Sequence, residues 1–211
     1  FFDVKFLPTN PILVYVSSDN GIYTSTNAGA SWGAPYTIPS SGRIAIAVTP
    51  ANPSMVAAVS SSNQTSGFNG LYVSTDNGNS FTLRSTTPNI LDGSADGSDT
   101  YGQGWYDLCI AVSPVNANHV FVGGVNLWES KDGGSSWSLL TSWYGSGSTP
   151  VVHADKHALS WSGTTLLLGC DGGVYKTADH GKTWTDLSNG LVISQMYRLG
   201  VSQSDNKVIS G

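Results

Sequence analysis

The residues best suited to chemistry fall in three short runs. His153, Asp155 and His157 alternate along the chain, so an extended backbone sets all three side chains on one side. Imidazole and carboxylate groups at that spacing could hold a metal or act as an acid–base cluster. The same groups could instead hydrogen-bond neighbouring strands and lock them together, and successive ligands about 7 Å apart along a strand cannot chelate one ion without a bend. The residue pattern favours the hydrogen-bonded network, with no metal and no cofactor implied. Trp105, Tyr106 and Asp107 form the second run, and Gln195 with Tyr197 repeats its polar and aromatic character further on. Both are suited either to ligand contact or to packing between elements. Cys109 and Cys170 are the two cysteines; they can make one bridge or remain buried thiols.

The elements that must carry these residues are strands. Charged residues are 11% of the chain, Gly numbers 25, and apolar segments are short and punctuated by turn residues, which fits many tight turns rather than surface helices. The net charge of −5, with no Lys/Arg cluster, provides no footprint for nucleic acid. No apolar run approaches the roughly 20 residues of a membrane-spanning helix, so no membrane insertion is expected. The opening at Phe1, without an apolar leader, suggests a processed or cut start.

One eight-residue pattern occurs four times: STNAGASW at 25–32, STDNGNSF at 74–81, SKDGGSSW at 130–137 and TADHGKTW at 177–184. A period near 50 residues matches one four-stranded propeller blade. Asn27, Asp76, Asp132 and Asp179 are expected to accept hydrogen bonds from N–H groups two residues on. Gly29, Gly78, Gly134 and Gly181 supply the positive-φ position of the hairpin, and Trp32, Phe81, Trp137 and Trp184 start the return strand. Two β-rich runs split by a turn precede each box, so each unit reads as strand A, turn, strand B, loop, strand C, box, strand D. The expected blades are 2–38, 43–85, 106–141 and 156–188, with a partial fifth over 197–211. Four and a half blades leave apolar end faces, which implies an all-β fragment of a larger ring of about seven blades, the remaining blades being its first partner.

The four boxes resemble the Asp-box, or BNR, repeats of sialidases, xyloglucan-active glycoside hydrolases and sortilin-type receptors. The runs GQGWYDLCIAVSP and GCDGGVYKTADHGKTWTDLSNGL look like secreted Bacteroidetes-type propeller proteins. That resemblance implies a secreted or cell-surface protein, in which a bridge between Cys109 and Cys170 would be favoured. It does not transfer an activity. A sialidase-like site needs three gripping arginines and an FRIP-type motif; the chain has only Arg43, Arg84 and Arg198 and lacks FRIP. A xyloglucanase-like site needs two carboxylates across a cleft. The expected role is therefore a non-catalytic module that binds carbohydrate, adheres, or joins a cell-surface protein assembly; the alternative is a glycoside hydrolase acting on polysaccharide. Its site is expected on the face opposite the boxes, where the long connections 83–108 and 139–159 mix Gly and Ser with aromatic and acidic residues. The Asn63-Gln64-Thr65 sequon also falls in a loop there, and is read as coincidental.

Overall fold

The computed structural model describes residues 1–7, 9–191, 199–201 and 208–210. Every regular element in it is a strand. Four antiparallel sheets of four strands follow one another along the chain, each ordered as it occurs in sequence. Blade 1 comprises β1 Asp3–Leu7, β2 Asn10–Ser17, β3 Gly21–Ser25 and β4 Tyr36–Thr37. Blade 2 comprises β5 Ser41–Thr49, β6 Asn52–Ser62, β7 Phe68–Ser74 and β8 Thr82–Ser85. In blade 3 the strands are β9 Cys109–Val112, β10 Val120–Gly123, β11 Leu127–Ser130 and β12 Ser138–Thr141. Blade 4 holds β13 Lys156–Ser162, β14 Thr165–Cys170, β15 Gly173–Thr177 and β16 Thr185–Asp186. Two further strands, β17 Leu199–Val201 and β18 Val208–Ser210, pair with each other.

The first strand of each blade lies beside the first strand of the next, β1 on β5, β5 on β9 and β9 on β13. Residues of all four line one cavity of about 250 Å³, among them Lys5, Arg43, Ile110 and Leu159. The blades are therefore arrayed about a common axis as in a β-propeller.

Side-chain alternation explains why the inner strands read as continuous apolar runs. Along β5, Ile44 and Ile46 pack with Tyr15 and Ile22 of blade 1, while Ala45 and Ala47 pack with Ile110 and Val122 of blade 3. Along β10 the same division puts Val120 and Val122 toward blade 2 and Phe121 toward Leu166 and Leu168 of blade 4. A strand with a blade on each side buries both of its faces, and small residues opposite large ones fill the seam.

The four boxes form equivalent hairpins, with one correction to the expected bonding. The box carboxylate or amide accepts from the N–H four residues on: Ser31 to Asn27 at 2.8 Å, Ser80 to Asp76 at 2.9 Å, Ser136 to Asp132 at 2.9 Å and Thr183 to Asp179 at 3.0 Å. Two consecutive residues with positive φ cause this, Ala28 with Gly29, Asn77 with Gly78, Gly133 with Gly134 and His180 with Gly181, because they curl the chain back over the acceptor. The first hydroxyl of each box adds a brace that the spacing argument missed. Ser74 Oγ, for example, donates to Asp76 Oδ1 at 2.7 Å and accepts from the Gly78 N–H at 2.8 Å. Ser25, Ser130 and Thr177 do the same.

The second, third and fourth boxes also meet the blade before them. A Cβ at Gly78 would meet Tyr15, one at Gly134 would meet Leu71, and one at Gly181 would meet Leu140. The hairpins thus close seams as well as turns.

Candidate functional site

The box hairpins sit beside the turns between first and second strands, since the N–H of Asn77 donates to Ser54 O and that of Gly133 to Asn118 O. On the opposite face the long connections cross-link one another. Gly102 and Gly104 donate to Thr65 O and Ser66 O of the loop after β6, and Asn126 Nδ2 donates to Ser94 O. A 3.1 Å bond from Trp143 Nε1 to Gly93 O ties the connection after β12 to the one after β8.

Trp105 and Tyr106 stand at the edge of this face with their rings 5.5 Å apart. Trp105 is 67% exposed and, with Phe2, walls a groove of about 280 Å³ whose polar lining includes Asp19, Arg43, Ser62 and Asn63. Arg43 Nη1 donates to Tyr106 O at 2.5 Å and so fixes the aromatic pair against blade 2. Further round the same face, Trp143 and Tyr144 form a second exposed pair, their rings 5.1 Å apart and nearly perpendicular.

Tyr106 leads inward to a polar cluster. Its hydroxyl donates to Asp171 Oδ2 at 3.1 Å, and its ring meets that of His157 edge-on at 4.8 Å. His157 Nε2 lies 2.8 Å from Asp171 Oδ1, so Asp171 joins the two. The Asp171 carboxylate raises the Tyr106 hydroxyl above its ordinary pKa, by accepting its hydrogen bond and by its negative charge.

Behind this cluster the chain buries charge. Asp107 is fully buried, and neither of its carboxylate oxygens has a fixed donor. Asp155 comes within hydrogen-bonding reach of it from the next blade; burial and the Asp155 charge push the Asp107 carboxyl up to about 8. Lys156 is also fully buried, with Nζ donating to Val125 O at 2.6 Å and to Val152 O at 3.4 Å, and desolvation holds its pKa down to about 8.

The alternation expected for His153, Asp155 and His157 does not occur. β13 begins only at Lys156, Asp155 has a φ of 62°, and the register slips between Lys156 and Ala158, which turns the three side chains different ways. Asp155 points to Asp107, His157 points to Asp171, and His153 packs over Gly172, where a Cβ would lie 2.3 Å from its own. Among the described residues no group of three or more His, Cys, Asp or Glu side chains gathers as a metal site. Gln195 and Tyr197 lie outside the described residues.

The bridge between Cys109 and Cys170 is not formed, and both thiols are free. The Lys156 backbone separates them: its carbonyl accepts from Cys109 Sγ at 3.5 Å, and Lys156 is the cross-strand partner of Cys170. Burial pushes the Cys109 thiol up to about 12, which makes it inert as a nucleophile near neutral pH.

No family model and no curated protein matches the chain. Solved structures do. A GH74 enzyme from Niastella koreensis aligns over 94% of this chain and 25% of its own at 20% identity and a TM-score of 0.56. The GH74 xyloglucanase from Xanthomonas campestris aligns over 88% and 30% at 18% identity and a TM-score of 0.62. YCF48 bound to D1 peptide aligns over 98% and 60% at 11% identity and a TM-score of 0.56. The likeness is one of fold. This chain spans less than a third of the two GH74 chains and three fifths of the YCF48 chain.

Proposed function

We propose that the face opposite the box hairpins binds carbohydrate, with the groove between Phe2 and Trp105 as its principal contact. The observation that carries this reading is the exposed Trp105 beside a polar lining of Asp19, Arg43, Ser62 and Asn63. An aromatic face set next to hydrogen-bonding groups suits a sugar ring, which is apolar on its C–H face and polar at its rim. The exposed pair Trp143 and Tyr144 offers a second contact for an extended chain. On this reading the repeats are Asp boxes of the BNR type, and the protein is exported.

The polysaccharide-cleaving alternative draws on the GH74 xyloglucanase among the fold neighbours. Asp107 and Asp155 are poorly placed to supply its chemistry. Glycosidase carboxyl groups stand roughly 5 to 10 Å apart to admit a sugar between them, whereas these two are in hydrogen-bonding reach and Asp107 is sealed from solvent.

Affinity electrophoresis through gels containing xyloglucan, mannan, pectin or a host glycosaminoglycan tests the binding reading. At least one polymer should retard the protein, and Trp105→Ala should weaken retardation about fivefold, the scale of a lost aromatic contact worth about 1 kcal/mol. Release of reducing ends from the retarding polymer would favour the hydrolase instead. Equal mobility in every gel would remove the proposal.

A further inference from the structure

Asp107 and Asp155 come from the connections that open blades 3 and 4, so whatever joins them joins two blades. Three of their four oxygens, both of Asp107 and Oδ1 of Asp155, are buried without a fixed hydrogen-bond partner. Two ionised carboxylates in such contact repel, and water does not reach Asp107 to screen them. A single proton placed between them converts the repulsion into a hydrogen bond.

We propose that Asp107 and Asp155 share one proton and form a pH-sensitive latch between blades 3 and 4, closed while the proton is held and loosened when it passes to solvent. The charges around the pair set its range without supplying the missing donor. Lys156 from β13 lies close enough to favour the ionised form, but its ammonium is engaged by Val125 O and Val152 O. From β9, Cys109 stays a neutral thiol, and Cys170 on β14 is likewise pushed up by burial. Arg43 on β5 holds the Tyr106 carbonyl, while Asp171 is occupied by Tyr106 and His157. Those last contacts connect the latch to the exposed face, because Tyr106 adjoins Asp107 in sequence and His157 lies two residues beyond Asp155. The latch stands independently of what that face binds.

The folded-state carboxyl binds its proton more tightly than the unfolded one, so its stabilisation is complete below the unfolded value near 4 and is lost as pH rises to about 8. One proton taken up by the folded state alone raises the unfolding constant about tenfold per pH unit inside that window.

The test is urea unfolding of the intact chain and of Asp107→Asn from pH 4.5 to 9. The difference between the two cancels the titrating groups that do not interact with the pair. Asp107→Asn, which keeps a donor without the charge, should unfold less readily than wild type at pH 8 and lack the tenfold slope. An unchanged slope would overturn the latch. Should that variant fold poorly, carbon-13 NMR of the wild-type carboxyls decides: a shared proton gives an Asp107 midpoint well above 6, with Tyr106 and His157 resonances moving at the same midpoint, and an ordinary midpoint near 4 would refute it. Asp155→Asn, which removes the like charge, should bring the Asp107 midpoint down.

Discussion

The indole N–H of Trp137 donates to Ser85 Oγ at 2.9 Å, joining the third box to the last strand of the preceding blade. The Ser85 hydroxyl in turn donates to Gly134 O at 2.6 Å, and Arg84 Nε donates to Gly133 O at 3.1 Å. One seam therefore rests on a short polar chain running from strand end to hairpin, laid over the apolar packing of Phe68 against Trp137. Ser85→Ala should lower stability by about 1 to 2 kcal/mol, since it breaks two hydrogen bonds and leaves two groups to find water. Trp137→Phe keeps an aromatic ring against Phe68 and breaks one bond, so it should cost less than Ser85→Ala. Urea unfolding of both variants ranks them, and the reverse order would mean that the ring, not the bond, holds the seam.

The same seam makes Gly134 the most demanding glycine of the four boxes. Its φ is +86°, and a Cβ there would lie 1.8 Å from Leu71 Cδ2. Gly134→Ala should cost about 2 to 4 kcal/mol, combining left-handed strain with overpacking. Gly29→Ala meets only its own box Trp32 at 3.7 Å, and should cost about 1 kcal/mol from backbone strain alone. Thermal unfolding of the two variants checks the gap, and because Leu71 is the side chain a Cβ at Gly134 would strike, the Gly134→Ala/Leu71→Ala double variant should lose less stability than the sum of the two single losses.

The box carboxylates make the hairpins sensitive to acid. Hydrogen bonds from box hydroxyl and N–H groups hold Asp76 and Asp179 down to about 2, and Asp132 well below the usual carboxylate range. A depressed folded pKa stabilises above the unfolded value near 4 and loses that contribution as pH falls through the folded value. Stability should therefore drop between pH 4 and pH 2. Replacing all three by Asn, the residue that the first box carries at position 27, should flatten that drop, read as the melting temperature at pH 2.5 relative to pH 4.5.

What the sequence disclosed and what it hid divide along the range of the interactions. Box hairpins are local: glycine, a side-chain acceptor and flanking hydroxyls lie within eight residues, so their recurrence gives the strand order and the radial arrangement. Even the missed hydroxyl brace was readable, since Ser or Thr opens all four boxes. The polar cluster is not local. Tyr106 meets Asp171 65 residues away, and Asp107 meets Asp155 only because β9 packs on β13. The period-two reading of residues 153 to 157 assumed a strand that begins three residues later than supposed, and one left-handed residue at Asp155 was enough to scatter the three side chains. Phe2, Asp19 and Arg43 come to the groove from three separate segments and carry no shared pattern that marks them.

Lys156 offers the sharpest measure of how the buried charge is held. Its ammonium is sealed between the two carbonyls of Val125 and Val152, and desolvation lowers its pKa to about 8. Lys156→Met fills a similar volume but strands both carbonyls, so at pH 7 the variant should be about 1 to 3 kcal/mol less stable. The deficit should then widen in alkali. Between pH 8 and the unfolded lysine value near 10.4, the folded chain has released the Lys156 proton while the unfolded chain keeps it, so wild-type stability climbs with pH and the methionine variant has no such group to titrate. The same substitution removes a positive charge near Asp107 and should raise the Asp107 carboxyl further. Urea unfolding of both proteins from pH 7 to pH 10 follows the gap, and a gap that closes with rising pH would show that the buried ammonium is paired more strongly than its two carbonyl bonds allow.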